Sequence, residues 1–191
     1  VGYKVPVLMD DKQIIGESLG VTRSAEAIVI DPKTWQVVYH GALSGMPAAL
    51  DALIAHQPVT VAAAPGAGAP IVFPRDAQVT YVKDVAPILE KNCVGCHSTG
   101  GIGPFAMSNY AVVKGFAPMI REVIRTDRMP PYNADPHVGT FSDNKNMSAA
   151  DIKTIVHWVE GGAPRGDGPD PLASVHHVAP EWPLGKPDLV L

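Results

Sequence analysis

Residues 93–97 read Cys93-Val94-Gly95-Cys96-His97. They contain the chain's only two cysteines, at the spacing of a c-type haem attachment site. Just upstream, Val85, Ile88 and Leu89 share one helical face, so a helix capped by Asp84 is expected to run to about Cys93. Pro87 then falls in its first turn, where a missing N–H is harmless. Two thiols three residues apart at a helix end can reach both vinyl groups of one porphyrin. The adjacent His97 would face the iron from the same side. Other uses of the motif fit less well. A thioredoxin-type Cys-x-x-Cys is expected after a strand, where a helix starts. A disulfide between these cysteines would close a very small loop. A zinc site would need a second group of ligands, and no second cysteine pair exists.

A haem held this way needs a sixth ligand unless it binds exogenous molecules. The chain has six methionines: Met9, Met46, Met107, Met119, Met129 and Met147. Met129 stands in Arg128-Met129-Pro130-Pro131, where two prolines hold the loop extended. That suits a thioether arriving opposite His97. Met119 and Met147 read as core or helix-start residues, and core filling is the ordinary use of methionine. His137 is the second candidate ligand, set against a solvated loop histidine. His157, beside Trp158, reads as a surface or rim residue.

Two further helices are expected nearby. Residues 118–126 form a short amphipathic stretch through Ile120, Val123 and Ile124. The clearest element begins at Ser148, with Asp151 completing a capping-box pattern. Ile152, Ile155, Val156 and Val159 give it an apolar stripe, and Gly161-Gly162 stop it. The proline-rich residues 169–191 are expected to wrap or extend, with no fold of their own.

Residues 79–168 as a whole resemble a class I cytochrome c domain carrying one haem. The resemblance rests on residues 81–97, Gly103-Pro104-Phe105, Arg128-Met129-Pro130-Pro131 and residues 147–164, in that order. It implies a mainly α-helical fold wrapped around the haem, with its first and last helices crossing. Here Leu89 or Val85 would meet Trp158 or Ile155. It also implies that Pro104 sets the orientation of His97 through its carbonyl. Within the family, Met129-Pro130-Pro131-Tyr132-Asn133-Ala134-Asp135 and Trp182-Pro183-Leu184-Gly185-Lys186-Pro187-Asp188 resemble members found in large extracytoplasmic fusions. Those carry a redoxin-like domain before the cytochrome.

The N-terminal residues fit that arrangement. Val5-Pro6-Val7-Leu8-Met9 reads as a short buried strand. Residues 11–19 read as a helix with Ile14, Ile15 and Leu19 on one face. Residues 27–31 read as a fully buried strand and residues 35–39 as a second one. A helix over residues 48–55 would turn Leu50, Leu53 and Ile54 inward. Residues 1–57 thus resemble the C-terminal half of a thioredoxin-like (redoxin) domain, a partial α/β unit. It lacks the opening strand, the first helix and any cysteine, and Ala25 stands where that family usually has a cis-proline. Such a sheet would expose an edge and an apolar face. The expectation is a fragment of a longer polypeptide, or completion by another chain. Residues 58–78, rich in Pro, Ala and Gly, read as a semi-extended linker.

Composition narrows the remaining classes. The 191 residues carry a net charge of −4, which argues against a nucleic-acid partner. Eighteen glycines and 19 prolines predict a loop-rich chain. No apolar run approaches the ~20 residues of a membrane span. No charged segment followed by an apolar one opens the chain, so no signal peptide is expected. Arg121, Arg125 and Arg128 could reach haem propionates or a partner, or simply form a solvated helix face. Gly100-Gly101-Ile102-Gly103 reads as a loop lying against porphyrin. His176-His177 could bind copper or zinc, but no spaced third ligand accompanies them.

The leading expectation is electron transfer through one haem c, with His97 and Met129 as iron ligands. The attachment family places the chain in the periplasm or another extracytoplasmic space, with redox proteins as partners. One alternative is a haem enzyme or sensor for peroxide or a small gas, with His137 and Arg128 the nearest acid–base candidates. Another is a docking subunit of a larger redox complex.

Overall fold

The computed structural model describes residues 4–61, 63–73, 78–135, 137–142, 144–175 and 186–189. The chain divides into two compact units, Val1–Arg75 and Asp76–Leu191.

In the first unit, the carboxylate of Asp10 accepts from the amides of Ile14, Ile15 and Gly16, at 3.1, 3.3 and 2.8 Å. It thereby caps the short helix α1 (Ile14–Ser18). Strands β1 (Glu26–Asp31) and β2 (Gln36–Ala42) pair antiparallel, with a bulge between Val29 and Ile30. Helix α2 (Met46–Ile54) packs on both strands. The core is Ala27, Val29, Tyr39 and Ala49, with Val59 and Val61 packed against it.

Several expectations for this unit need correcting. Residues 5–9 form no strand, and Val5, Val7, Leu8 and Met9 are exposed. β1 is not buried on both faces. Ala27 and Val29 point inward and alternate with less buried neighbours, because α2 covers only one face of a two-stranded sheet. α2 turns Ala49 inward and leaves Ile54 exposed, while Ile15 of α1 is also exposed. Among its described residues, the stretch read as a linker is docked. The amide of Ala42 donates to Ala64 O at 2.7 Å, Ser24 to Ala69 O at 3.0 Å, and Ile71 to Thr22 O at 2.8 Å. Those bonds satisfy backbone groups at the end of β2 and in the segment leading into β1.

In the second unit the first helix, α3, runs without a break through Tyr81–Val85, Ala86–Leu89 and Glu90–Val94. The outer two stretches have wide, π-type turns. Thr80, not Asp84, occupies the cap position, and the Asp84 carboxylate reaches back to the Thr80 amide at 2.7 Å. Pro87 therefore lies inside the helix. It cannot donate to the preceding turn, and the wide turn before it accommodates that loss. Further along, Asn92 Nδ2 donates to Ile88 O at 2.8 Å, competing with the backbone ladder where the turns widen again.

Helix α4 (Tyr110–Arg125) is capped by Asn109, whose side chain accepts from the Val112 amide at 3.1 Å. It begins well before the expected residue 118, because Pro118 sits in its interior on an exposed face. The carbonyl that loses its partner there belongs to Lys114, also exposed, so water can serve it. Val113, Ala117, Ile120 and Ile124 make the buried stripe.

Helix α5 (Ala149–Glu160) starts where expected, with Ser148 Oγ accepting from the Asp151 amide at 3.0 Å. It buries Ile152, Ile155, Val156 and Trp158, while Val159 is only partly buried. α5 packs on α4 and on the Tyr81–Val85 end of α3. The ring of Tyr81 lies 6.2 Å from that of Trp158. Leu89 is buried in the next stretch of α3, which packs against the short 3-10 turn Pro171–Ser174.

That turn moves the expected boundary at residue 169. Asp170 accepts from Tyr81 Oη, the Tyr110 amide and the Leu172 amide, at 2.7, 2.6 and 3.1 Å. Leu172 is buried. Residues 169–175 therefore belong to the folded unit. Most of the remaining tail, including His176, His177 and residues 182–185, lies outside the described residues.

Candidate functional site

The end of α3 delivers the two cysteines into different surroundings. Val94 is buried, Cys93 is half-buried and Cys96 is exposed; both cysteines are free thiols. The amides of Cys96 and His97 both donate to Cys93 O, at 3.1 and 2.9 Å, so the chain keeps turning past the helix end. Burial, with a smaller contribution from Cys96, pushes the Cys93 thiol up to about 12. A thiol held protonated in this way is a poor attacking group, the opposite of what a redox dithiol requires.

The following loop folds back over His97. Gly101 N donates to Ser98 O at 2.9 Å, Gly103 N to Cys96 O at 2.9 Å, and Met107 N to His97 O at 2.8 Å. Gly103 lies flat against the imidazole: a Cβ there would stand 2.7 Å from Nδ1 and 2.8 Å from Cγ of His97. A side chain has no room at that position.

His97 Nδ1 lies 3.0 Å from the carbonyl oxygen of Phe105. A carbonyl only accepts, so Nδ1 carries a hydrogen, which leaves Nε2 as the nitrogen available to a ligand. The acceptor expected at Pro104 is thus one residue further on. The glycine-flanked loop passes over the ring before a carbonyl can turn back to Nδ1. The ring of Phe105 also touches His97, with centroids 4.8 Å apart, and stacks on Phe116 of α4 at 3.9 Å and 15°.

Met129 stands on a separate loop at the end of α4. The amides of Arg128 and Met129 both donate to Val123 O, at 2.9 and 3.2 Å. Asn133 Nδ2 donates to Asp127 O at 2.8 Å, and the Met129–Pro130 peptide bond is cis. Met129 is 38% exposed.

Arg128 has partners on its own helix end. Its guanidinium pairs with Glu122, and its Nε donates to Thr126 Oγ1 at 3.2 Å. Arg121 approaches Glu160 of α5 at 3.6 Å. Met107 and Met147 are buried, while Met119 is exposed on α4 instead of filling the core. His137 lies in a loop where its amide donates to Asp135 at 2.8 Å, and His157 is half-buried on α5.

The sequence gives no role to Phe116 or Asp170, and places Gly103 in a loop against porphyrin, not against His97. The apolar spacing of Val113, Phe116 and Ala117 was the available signal for Phe116, hidden by reading Pro118 as a helix start.

Among the described residues, no group of three or more His, Cys, Asp or Glu side chains could hold a metal ion. Two thiols and one imidazole at a helix end could instead anchor a porphyrin, whose iron would need few donors from the protein. Ile102, Met119, Met129, Tyr132, Val138 and Phe141 of this unit are exposed. Among the described residues, no helix is long and apolar enough to cross a membrane.

No protein-family model matches this chain, and no curated protein or solved structure is significantly similar to it.

Proposed function

We propose that the second unit carries a single haem c and transfers electrons, as a module of an extracytoplasmic redox assembly. Cys93 and Cys96 would hold it through thioethers, each S–H adding across one vinyl group with its hydrogen passing to carbon. His97 would ligate iron through Nε2, and Met129 from the opposite side. Bound there, the haem supplies a ferric/ferrous couple; methionine as the second ligand favours the ferrous state and raises the potential.

The observation that carries this reading is the hydrogen bond from His97 Nδ1 to Phe105 O, directly after the two cysteines. Metal-ligating histidines donate their other ring N–H to a carbonyl or carboxylate, which fixes the tautomer and makes the ligand more basic. Gly103 against the ring holds the imidazole in that orientation. Burial holds the Cys93 thiol protonated, which does not suit it to act as an attacking thiolate. That favours a carrier over a thiol enzyme.

The test is expression of the chain in a periplasm with haem-attachment machinery, followed by haem staining of denaturing gels. One covalent haem is expected, weakened or lost in Cys93→Ala and Cys96→Ala. Undiminished covalent haem in the double variant would overturn the assignment.

A further inference from the structure

We propose that Phe116 is a positioning residue for the iron-ligating histidine, acting through Phe105 to set the reduction potential. This rests on the haem reading above. The loop that supplies the acceptor carbonyl contains Gly100, Gly101 and Gly103, and glycine leaves a backbone free to sample many conformations. Its own backbone bonds close the loop at Gly101, Gly103 and Met107; a contact from outside it would fix Phe105 O itself against His97 Nδ1.

The stacked pair does so. Phe105 meets Phe116 face to face, with centroids 3.9 Å apart and planes 15° from parallel. The same ring meets His97 at 4.8 Å with the rings tilted by 56°. One residue thus carries both contacts to the histidine: its ring, and its carbonyl at 3.0 Å from Nδ1. Phe116 is mounted on a firm element. It lies in α4, capped by Asn109 and anchored by buried Val113, Ala117 and Ile120. The stack transmits the placement of α4 to a single hydrogen bond.

That bond has an electronic consequence. Donation from Nδ1–H to a carbonyl makes Nε2 more basic, and a more electron-rich ligand stabilises ferric iron. Loosening Phe105 should weaken the bond and raise the reduction potential.

The experiment uses haem-bearing wild type, Phe116→Leu and Phe116→Tyr. Leucine keeps much of the volume without the stacking face; tyrosine keeps the ring. Three quantities are measured: covalent haem per chain, reduction potential, and exchange of the His97 ring N–H with solvent, followed by proton NMR of the ferric form. In Phe116→Leu, haem content is expected to stay full, ring N–H exchange to rise about tenfold, and the potential to rise. Phe116→Tyr is expected to restore both to wild-type values. Full haem with unchanged exchange and potential in Phe116→Leu would overturn the positioning role and leave the haem assignment standing. Wild type without covalent haem would overturn both. If Phe116→Leu fails to fold, Phe116→Met decides by the same three readings, because it fills the space without a ring face.

Discussion

Tyr81 and Asp170, 89 residues apart in the chain, are joined by a 2.7 Å hydrogen bond from the phenol to the carboxylate. Tyr81 opens α3 and is fully buried, while Asp170 also holds the amide that opens α4. Two helix starts are thereby fixed to the segment that follows α5. Burial first, and Asp170 second, push the Tyr81 phenol far above its ordinary value of 10.0. The folded protein therefore keeps a proton that the unfolded chain releases above that value. Stability should be full below pH 10.0 and fall as pH rises past it. The free Cys93 thiol acts in the same sense, so the comparison belongs in a Cys93→Ala chain. There, Tyr81→Phe should reduce the loss of denaturant midpoint between about pH 9 and about pH 11. An equal loss in both chains would show that Tyr81 is not the titrating group.

Trp158 is fully buried on α5, and its Nε1 donates to Pro164 O at 2.9 Å. Trp158→Ala should destabilise the second unit by about 3–5 kcal/mol, through lost burial and the cavity left behind. Thermal or urea unfolding measures this. A melting temperature unchanged within error would contradict the packing of α5 on the start of α3.

Gly103→Ala would bring a Cβ within 2.7 Å of His97 Nδ1. The ring or the loop must shift, breaking the bond to Phe105 O. A cost of about 1–3 kcal/mol in stability is expected. In haem-bearing protein, the visible spectrum should show altered histidine ligation. Gly95→Ala is the control for stability, since a Cβ there meets nothing within 4 Å. Equal behaviour of the two variants would remove Gly103 from the site.

Met129→Ala should leave haem attached through Cys93 and Cys96 while opening the sixth position. The potential should fall, because thioether ligation favours ferrous iron. Carbon monoxide should then bind the reduced form. If wild type binds carbon monoxide as readily, or if only His137→Ala alters the spectrum, Met129 is not the ligand. The first outcome would favour an enzyme or sensor over a carrier.

What the sequence determined by itself is local. The spacing of Cys93, Cys96 and His97 is a covalent fact, whatever the fold around it. The Ser148 cap and the apolar stripe of α5 lie within a few turns of one helix, so the periodicity that predicts them is the periodicity that forms them. Tertiary structure decided the rest. A proline alone cannot tell whether it starts a helix or sits within one: Pro87 and Pro118 lie inside helices whose true caps are Thr80 and Asn109. The apolar stretch Val5–Met9 reads as a buried strand, but burial needs a partner surface, and these side chains are exposed. Residues 58–73 look like linker because proline and glycine suppress local structure. Ala64, Ala69 and Ile71 are held by long-range bonds to Ala42, Ser24 and Thr22. The carbonyl that orients His97 is chosen by where the loop crosses the imidazole and by a phenylalanine on a different helix. Asp170 holds two helix starts because its carboxylate is brought to them from the far side of α5. Each of these depends on which distant surface is present to meet the residue, and spacing along the chain carries no such information.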